Sequence, residues 1–154
     1  RGERVYTEQV RTLADPADQD AIVNLAGDLD ARSLAALLAR AAVVVSNDSG
    51  PMHLAAALGA PTVGLFGPET PVMYAPLGPR VRALYRPTPC SPCINVHDNK
   101  FSSCVFGHPR CLVHLEVDEV LAAARRTAGA AEPLLPDELS DAPAPLPRQR
   151  LRRF

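Results

Sequence analysis

The chain has 154 residues, 47% of them hydrophobic, and a formal net charge of −1. That length suffices for one domain with a core of its own, and the near-neutral charge gives no general case for nucleic-acid binding. No apolar stretch approaches the roughly 20 residues that a membrane-spanning helix needs.

Residues 1–20 are polar, with a short helix expected around Val5 to Leu13. No apolar region follows Arg1-Gly2-Glu3-Arg4, so no signal peptide is read there. The chain opens mid-pattern and without methionine, as expected of a fragment or a processed chain. Ala21 to Ala26 is a strand candidate, stopped by Gly27-Asp28. Asp30 or Ser33 then suits the cap of a helix in which Leu34, Leu37, Leu38 and Ala41 recur at helical spacing. Val43-Val44-Val45 reads as a buried strand, and residues 50–58 as the helix that follows it. Further strands are expected at Pro61–Phe66 and Val81–Tyr85, and a last helix near 116–128 with Val117, Val120, Leu121 and Ala124 on one face. Strands alternating with helices across short loops predict an α/β fold, a Rossmann-like parallel sheet covered on both sides. From about Gly129 the apolar period ends: five prolines, acidic Asp137, Glu138 and Asp141 and a terminal arginine cluster predict a disordered tail over 129–154 behind a domain at 1–128.

The densest chemistry follows Val43-Val44-Val45, in Asn47-Asp48-Ser49-Gly50-Pro51-Met52-His53. A strand, a tight polar turn and a helix opening on Gly-Pro is the arrangement in which α/β sheets bind ligands beyond their strand ends. Proline suits the first helical position, Ser49 or Asp48 suits the cap, and the helix start favours an anion such as phosphate. His53 has two readings: a core histidine bonded to a backbone carbonyl, or a donor to a phosphate oxygen in the cleft. Asp48 could likewise serve only as a turn residue. Gly67-Pro68-Glu69-Thr70-Pro71 ends the next strand on the same side of a parallel sheet, where Glu69 or Thr70 could bond a sugar hydroxyl or form a plain surface turn.

Cys90, Cys93, Cys104 and Cys111 fall as C-x2-C-x10-C-x6-C, with His97, His108 and His114 interspersed. Four soft ligands with a close first pair suit a structural tetrahedral zinc, although the second pair is wider than a zinc ribbon prefers. Free or redox-labile thiols are the competing reading.

Val45 to Ala57 (Val-Ser-Asn-Asp-Ser-Gly-Pro-Met-His-Leu-Ala-Ala-Ala), together with Leu65-Phe66-Gly67-Pro68, resembles the signature of glycosyltransferase family 9, the ADP-heptose:lipopolysaccharide heptosyltransferases. Cys90-Ser91-Pro92-Cys93 and Gly107-His108-Pro109-Arg110-Cys111-Leu112 resemble the cysteine-bearing segment of a heptosyltransferase branch of that family. The resemblance covers roughly residues 20–125. It implies a GT-B fold in which this chain is most of the C-terminal, donor-binding domain, with the N-terminal domain absent. By the same resemblance Asp48 contacts donor-sugar hydroxyls, Ser49 and Gly50 bring backbone amides to the diphosphate, and His53 lies beside the phosphates. Gly27-Asp28-Leu29 corresponds to a region near the nucleotide base. Two family elements are missing: the N-terminal domain with the acceptor site and the catalytic carboxylate, and a phosphate-binding lysine that neither Arg1 nor Arg4 replaces.

The expected function is sugar transfer, heptose from ADP-heptose to a lipopolysaccharide or other envelope glycan, with this fragment alone inactive. No cofactor is expected for catalysis. The expected partners are a nucleotide-diphosphate sugar and a glycolipid or glycan acceptor, without nucleic acid. The expected location is the cytoplasm, peripherally at the inner membrane. A noncatalytic nucleotide-binding or metal-stabilised module is the alternative, and a nucleotide-sugar epimerase of similar fold a third reading.

Overall fold

The computed structural model describes residues 2–93, 104 and 106–129. The proposed tail lies outside them except for Gly129, and so does His97. The elements run α1 (Gly2–Thr12), a 3-10 turn (Gln19–Ala21), α2 (Ala31–Ala39), β1 (Val44–Asn47), α3 (Gly50–Ala57), β2 (Thr62–Phe66), α4 (Pro71–Tyr74), β3 (Val81–Tyr85), α5 (Arg110–Val113) and α6 (Val117–Gly129). The three strands form a parallel sheet in the order β1-β2-β3, with Val44 opposite Thr62 and Thr62 opposite Val81.

Alternation along the strands sends side chains to two faces, and each face has its own helices. Val44 joins Leu38, Ala55 and Ala60 in a core beneath α2 and α3. Val63 and Leu84, on the opposite face, join Ala123 of α6 with Leu115 and Val120 packed against them. The result is a helix–sheet–helix sandwich with β2 as its central strand. Val63 and Phe66 on β2 are fully buried.

Helix α3 is apolar on nearly every side and buries Met52, Ala55 and Ala56. It reaches the sheet closely because β2 carries Gly64 there. A Cβ on Gly64 would stand 2.6 Å from the Met52 sulfur. The helix ends at Gly59, whose φ of 76° is the left-handed conformation glycine adopts without cost. Its N–H bonds the Ala56 carbonyl (2.9 Å) and the Ala60 N–H bonds that of Ala55 (3.0 Å), a Schellman closure that turns the chain directly into β2. At the other helix of this layer, the Asp30 carboxylate accepts the Ser33 N–H at 2.7 Å, as one of the two expected caps. That bond holds the Asp30 carboxyl below its ordinary range.

One expectation is corrected. Residues 21–26 form no strand. Val23 is 73% exposed, and the segment is held to α1 by side-chain bonds instead of a ladder. The Asn24 amide donates to the Glu8 carboxylate (3.0 Å) and the Arg4 carbonyl (3.2 Å), and its oxygen accepts the Thr7 hydroxyl (2.9 Å). The apolar residues there satisfied a strand pattern, but among the described residues no neighbouring strand pairs with them.

In α6 the buried positions are Ala123 and Thr127, with Val120 beside them. Val117, Val120, Leu121 and Ala124 share one face, as expected, and line a groove with Val45 and Leu65. The small Ala123 side chain lets α6 settle on β2 and β3. The first turn of α6 is also tied to the exit of β3, through Arg86 and Glu119 at 2.9 Å. Among the described residues no helix is long and apolar enough to cross a membrane.

Candidate functional site

The parallel register ends β1 at Asn47 opposite Leu65, so the Asp48–Gly50 turn and the Gly67–Thr70 loop leave the same edge of the sheet. This is the carboxyl edge at which open α/β sheets bind ligands. Asp48 and Ser49 are half-buried in the turn and Gly50 begins α3.

Ser49 occupies the N-cap position of α3, but neither its side chain nor that of Asp48 bonds the helix amides, which corrects the expectation of a side-chain cap. Ser46 donates its hydroxyl proton to the Asn47 carbonyl (2.9 Å), so the 3.1 Å contact between the Ser46 and Ser49 hydroxyls has Ser49 as donor. The Ser49 hydroxyl is thereby turned back toward β1 and away from the helix it precedes. Met52 and His53 direct their N–H groups to the Ser49 carbonyl, at 3.1 and 3.4 Å. Pro51 has no N–H to satisfy. Among the described residues, no hydrogen bond engages the N–H of Ser49 or of Gly50. The start of α3 therefore presents backbone donors and the positive end of the helix dipole without a side-chain cap.

His53 lies in the first turn of α3 with its side chain 48% exposed, which rules out the core reading. Its Nε2 stands 3.9 Å from Asp48 Oδ1, an ion-pair distance when the imidazole is protonated and too long for a hydrogen bond. Burial pushes the Asp48 carboxyl above its ordinary range, and the nearby His53 partly offsets that rise. A carboxylate held in a costly environment at a sheet edge is the kind of group that gathers at functional sites.

Thr70 is the N-cap of α4, its hydroxyl oxygen accepting the Val72 N–H at 3.2 Å. The hydroxyl proton is still available for another acceptor. Glu69 is half-buried between Thr70 and Pro68. The structure thus brings Asp48, Ser49, Gly50 and His53 into one turn and sets Glu69 and Thr70 at the same edge. Arg4, at a distance in sequence, pairs with Asp28 in the Gly27–Leu29 turn.

The cysteines divide differently. Cys90 and Cys93 are exposed, Cys104 is half-buried with its Sγ donating to the His108 carbonyl (3.0 Å), and Cys111 is buried. Burial pushes the Cys111 thiol up, and Cys93 and Cys90 add to the rise. All four thiols are free, and among the described residues no group of three or more His, Cys, Asp or Glu side chains is arranged to hold a metal ion.

Sequence reasoning missed a serine. Ser91 donates its hydroxyl to the Gly67 carbonyl, and the flanking cysteines drew attention to metal chemistry instead. No local pattern announces a bond between residues 24 apart.

Comparison with known proteins gives a consistent result. The model of glycosyltransferase family 9 (heptosyltransferase) matches residues 3–101. Lipooligosaccharide heptosyltransferase 2 of Haemophilus ducreyi is 40% identical over 77 residues, which are 49% of this chain and 22% of that protein. Lipopolysaccharide heptosyltransferase 2 of Salmonella typhimurium is 43% identical over 61 residues, 40% of this chain and 18% of the relative. Among solved structures, that of the Escherichia coli ADP-heptose LPS heptosyltransferase II superposes with a TM-score of 0.64 at 26% identity. That alignment covers 79% of this chain and 32% of the other.

Proposed function

From its membership of glycosyltransferase family 9, in which this chain belongs, we propose that it supplies the donor-binding part of a transferase moving heptose from ADP-heptose to a lipopolysaccharide or related envelope glycan. The carrying observation is the start of α3, uncapped by any side chain, beside the Asp48–His53 pair at the carboxyl edge of the sheet. In this reading the Ser49 and Gly50 amides and the helix dipole receive the diphosphate, and His53 donates to one of its oxygens. Negative charge grows on that diphosphate as the glycosidic bond breaks. Groups held ready for it are worth ~3 kcal/mol for one well-placed donor.

Asp48 accepts hydroxyl hydrogen bonds from the departing sugar, and Glu69 or Thr70 accepts or donates another across the cleft. No metal is needed for these steps. The acceptor and the catalytic carboxylate belong to a part of the enzyme that these residues do not supply. The acceptor is a lipid-linked glycan and the donor a soluble nucleotide sugar. The proposed location is therefore the cytoplasmic face of the inner membrane, by peripheral association.

Titration with ADP and ADP-heptose, followed by thermal shift, tests the reading. Stabilisation by both is the expected result, weakened for both ligands in His53→Ala and for ADP-heptose alone in Asp48→Ala. No stabilisation by any ADP- or UDP-sugar in a transfer-competent enzyme would overturn it. A second reading is a nucleotide-binding module without turnover. Sugar transfer by the 154 residues alone would exclude that reading.

A further inference from the structure

The loop after β2 is gripped by a segment far along the chain. The ladder between β2 and β3 ends at Phe66 opposite Tyr85. Beyond it a strand would continue through backbone N–H groups, but Pro68 has none to give. Two groups from the turn after β3 take over. Ser91 donates its hydroxyl to the Gly67 carbonyl, and the Cys93 N–H bonds the Pro68 carbonyl at 2.8 Å. The Ser91 proton is committed to Gly67, so the 2.9 Å contact with the Tyr85 hydroxyl has tyrosine as donor and orients the serine oxygen. The turn is itself closed by the Ser91 N–H on the Thr88 carbonyl, at 2.9 Å.

From the other face α5 fills the space beside Gly67. A Cβ there would stand 2.7 Å from Leu112 Cγ and 3.0 Å from Cys111 Sγ. Gly67 is thus fixed laterally by a hydroxyl and vertically by a helix, and Glu69 and Thr70 depart from that fixed point.

We propose that Ser91, oriented by Tyr85, is a positioning residue for the sugar-binding loop Gly67–Thr70. It sets the course of Glu69 and Thr70 along the sheet edge that carries Asp48. The inference rests on the reading of that loop as part of the donor site. Its consequence is that the cysteine-flanked turn acts on donor affinity through hydrogen bonds to the loop backbone, without touching the donor.

Hydrogen exchange and donor titration on the full chain test it together. In Ser91→Ala the amides of Val72 to Ala75, which bond back to Thr70 and Pro71, should exchange at least about tenfold faster. Affinity for ADP-heptose should fall about fivefold while affinity for ADP alone holds, because the loop is assigned to the sugar. Ser91→Thr keeps the hydroxyl and should restore both readouts, and Tyr85→Phe should fall between. Unchanged exchange in Ser91→Ala overturns the clasp, whether or not the donor binds. Faster exchange with unchanged ADP-heptose affinity overturns the positioning role. If the unsubstituted chain binds neither ligand, the donor reading fails, and exchange alone then supports or overturns the hold on the loop.

Discussion

The two segments that leave the carboxyl edge of the sheet are built on opposite plans. The turn from Asp48 into α3 has its hydrogen-bonding groups turned outward: no side chain caps the helix, Ser49 faces back to Ser46, and His53 is half exposed. The loop from Gly67 to Thr70 has its groups turned inward, with both leading carbonyls engaged and the Thr70 oxygen spent on its own helix. One segment keeps donors for a ligand and the other keeps its shape. Under the proposed function, which has the site bind a diphosphate and orient a sugar, orientation would depend on the rigid wall and affinity on the open one.

Substitution at Asp48 presses hardest on that contrast. Asp48→Ala in the transfer-competent enzyme should lose about 1.5–3 kcal/mol of transition-state stabilisation per hydroxyl bond removed, read as a fall in kcat/KM. Melting should barely change. Unfolding with intact specific activity would instead make Asp48 a structural turn residue.

The pH dependence follows from the raised Asp48 carboxyl. The folded value lies above the ordinary 3.8, so the fold favours the protonated form. The stability this group adds is whole below 3.8 and is lost as pH rises through the folded value. Asp48→Asn removes the titration. The melting temperature of the unsubstituted chain, measured relative to this variant, should therefore decline between acid and neutral pH.

At the rigid wall, Gly67→Ala drives a methyl group against Leu112 and Cys111. Overpacking of this kind costs about 1–3 kcal/mol, so the melting temperature should drop measurably. A neutral outcome would mean that α5 yields easily and that the wall is softer than its contacts indicate. Asp30→Ala, remote from both segments, removes a cap worth ~1 kcal/mol and should lower stability without changing activity per folded molecule. The smallest effect is expected from a chelator. Melting and thiol titration should be the same with and without it, and zinc at one per chain in protein purified without added metal would support the structural zinc on Cys90, Cys93, Cys104 and Cys111.

The open segment was legible because its chemistry is local. Asn47 to His53 carries strand end, turn, proline and histidine within seven consecutive positions, and neighbours that close in sequence must be neighbours in space. The Asp30 cap belongs to the same class. Ala21 to Ala26 misled for a related reason: its apolar residues fit a strand, but a strand exists only where a partner supplies the other half of the ladder. Asn24 bonded α1 instead. In α6 the helical period set Val117, Val120, Leu121 and Ala124 on one face, as the structure has them.

By itself, then, the sequence determined the parallel α/β frame and the motif at the start of α3, since strand and helix periods and Gly-Pro punctuation act over a few residues. The family came from the resemblance carried by Val45 to Ala57. Only the tertiary structure decided that Ser49 turns away from its helix, that His53 stays at the surface beside Asp48, and that Ser91 holds Gly67. Each of these depends on which of several available partners is within about 3 Å once the chain has closed, and hydrogen bonds fall off too steeply with distance and angle for any residue pattern to choose among them.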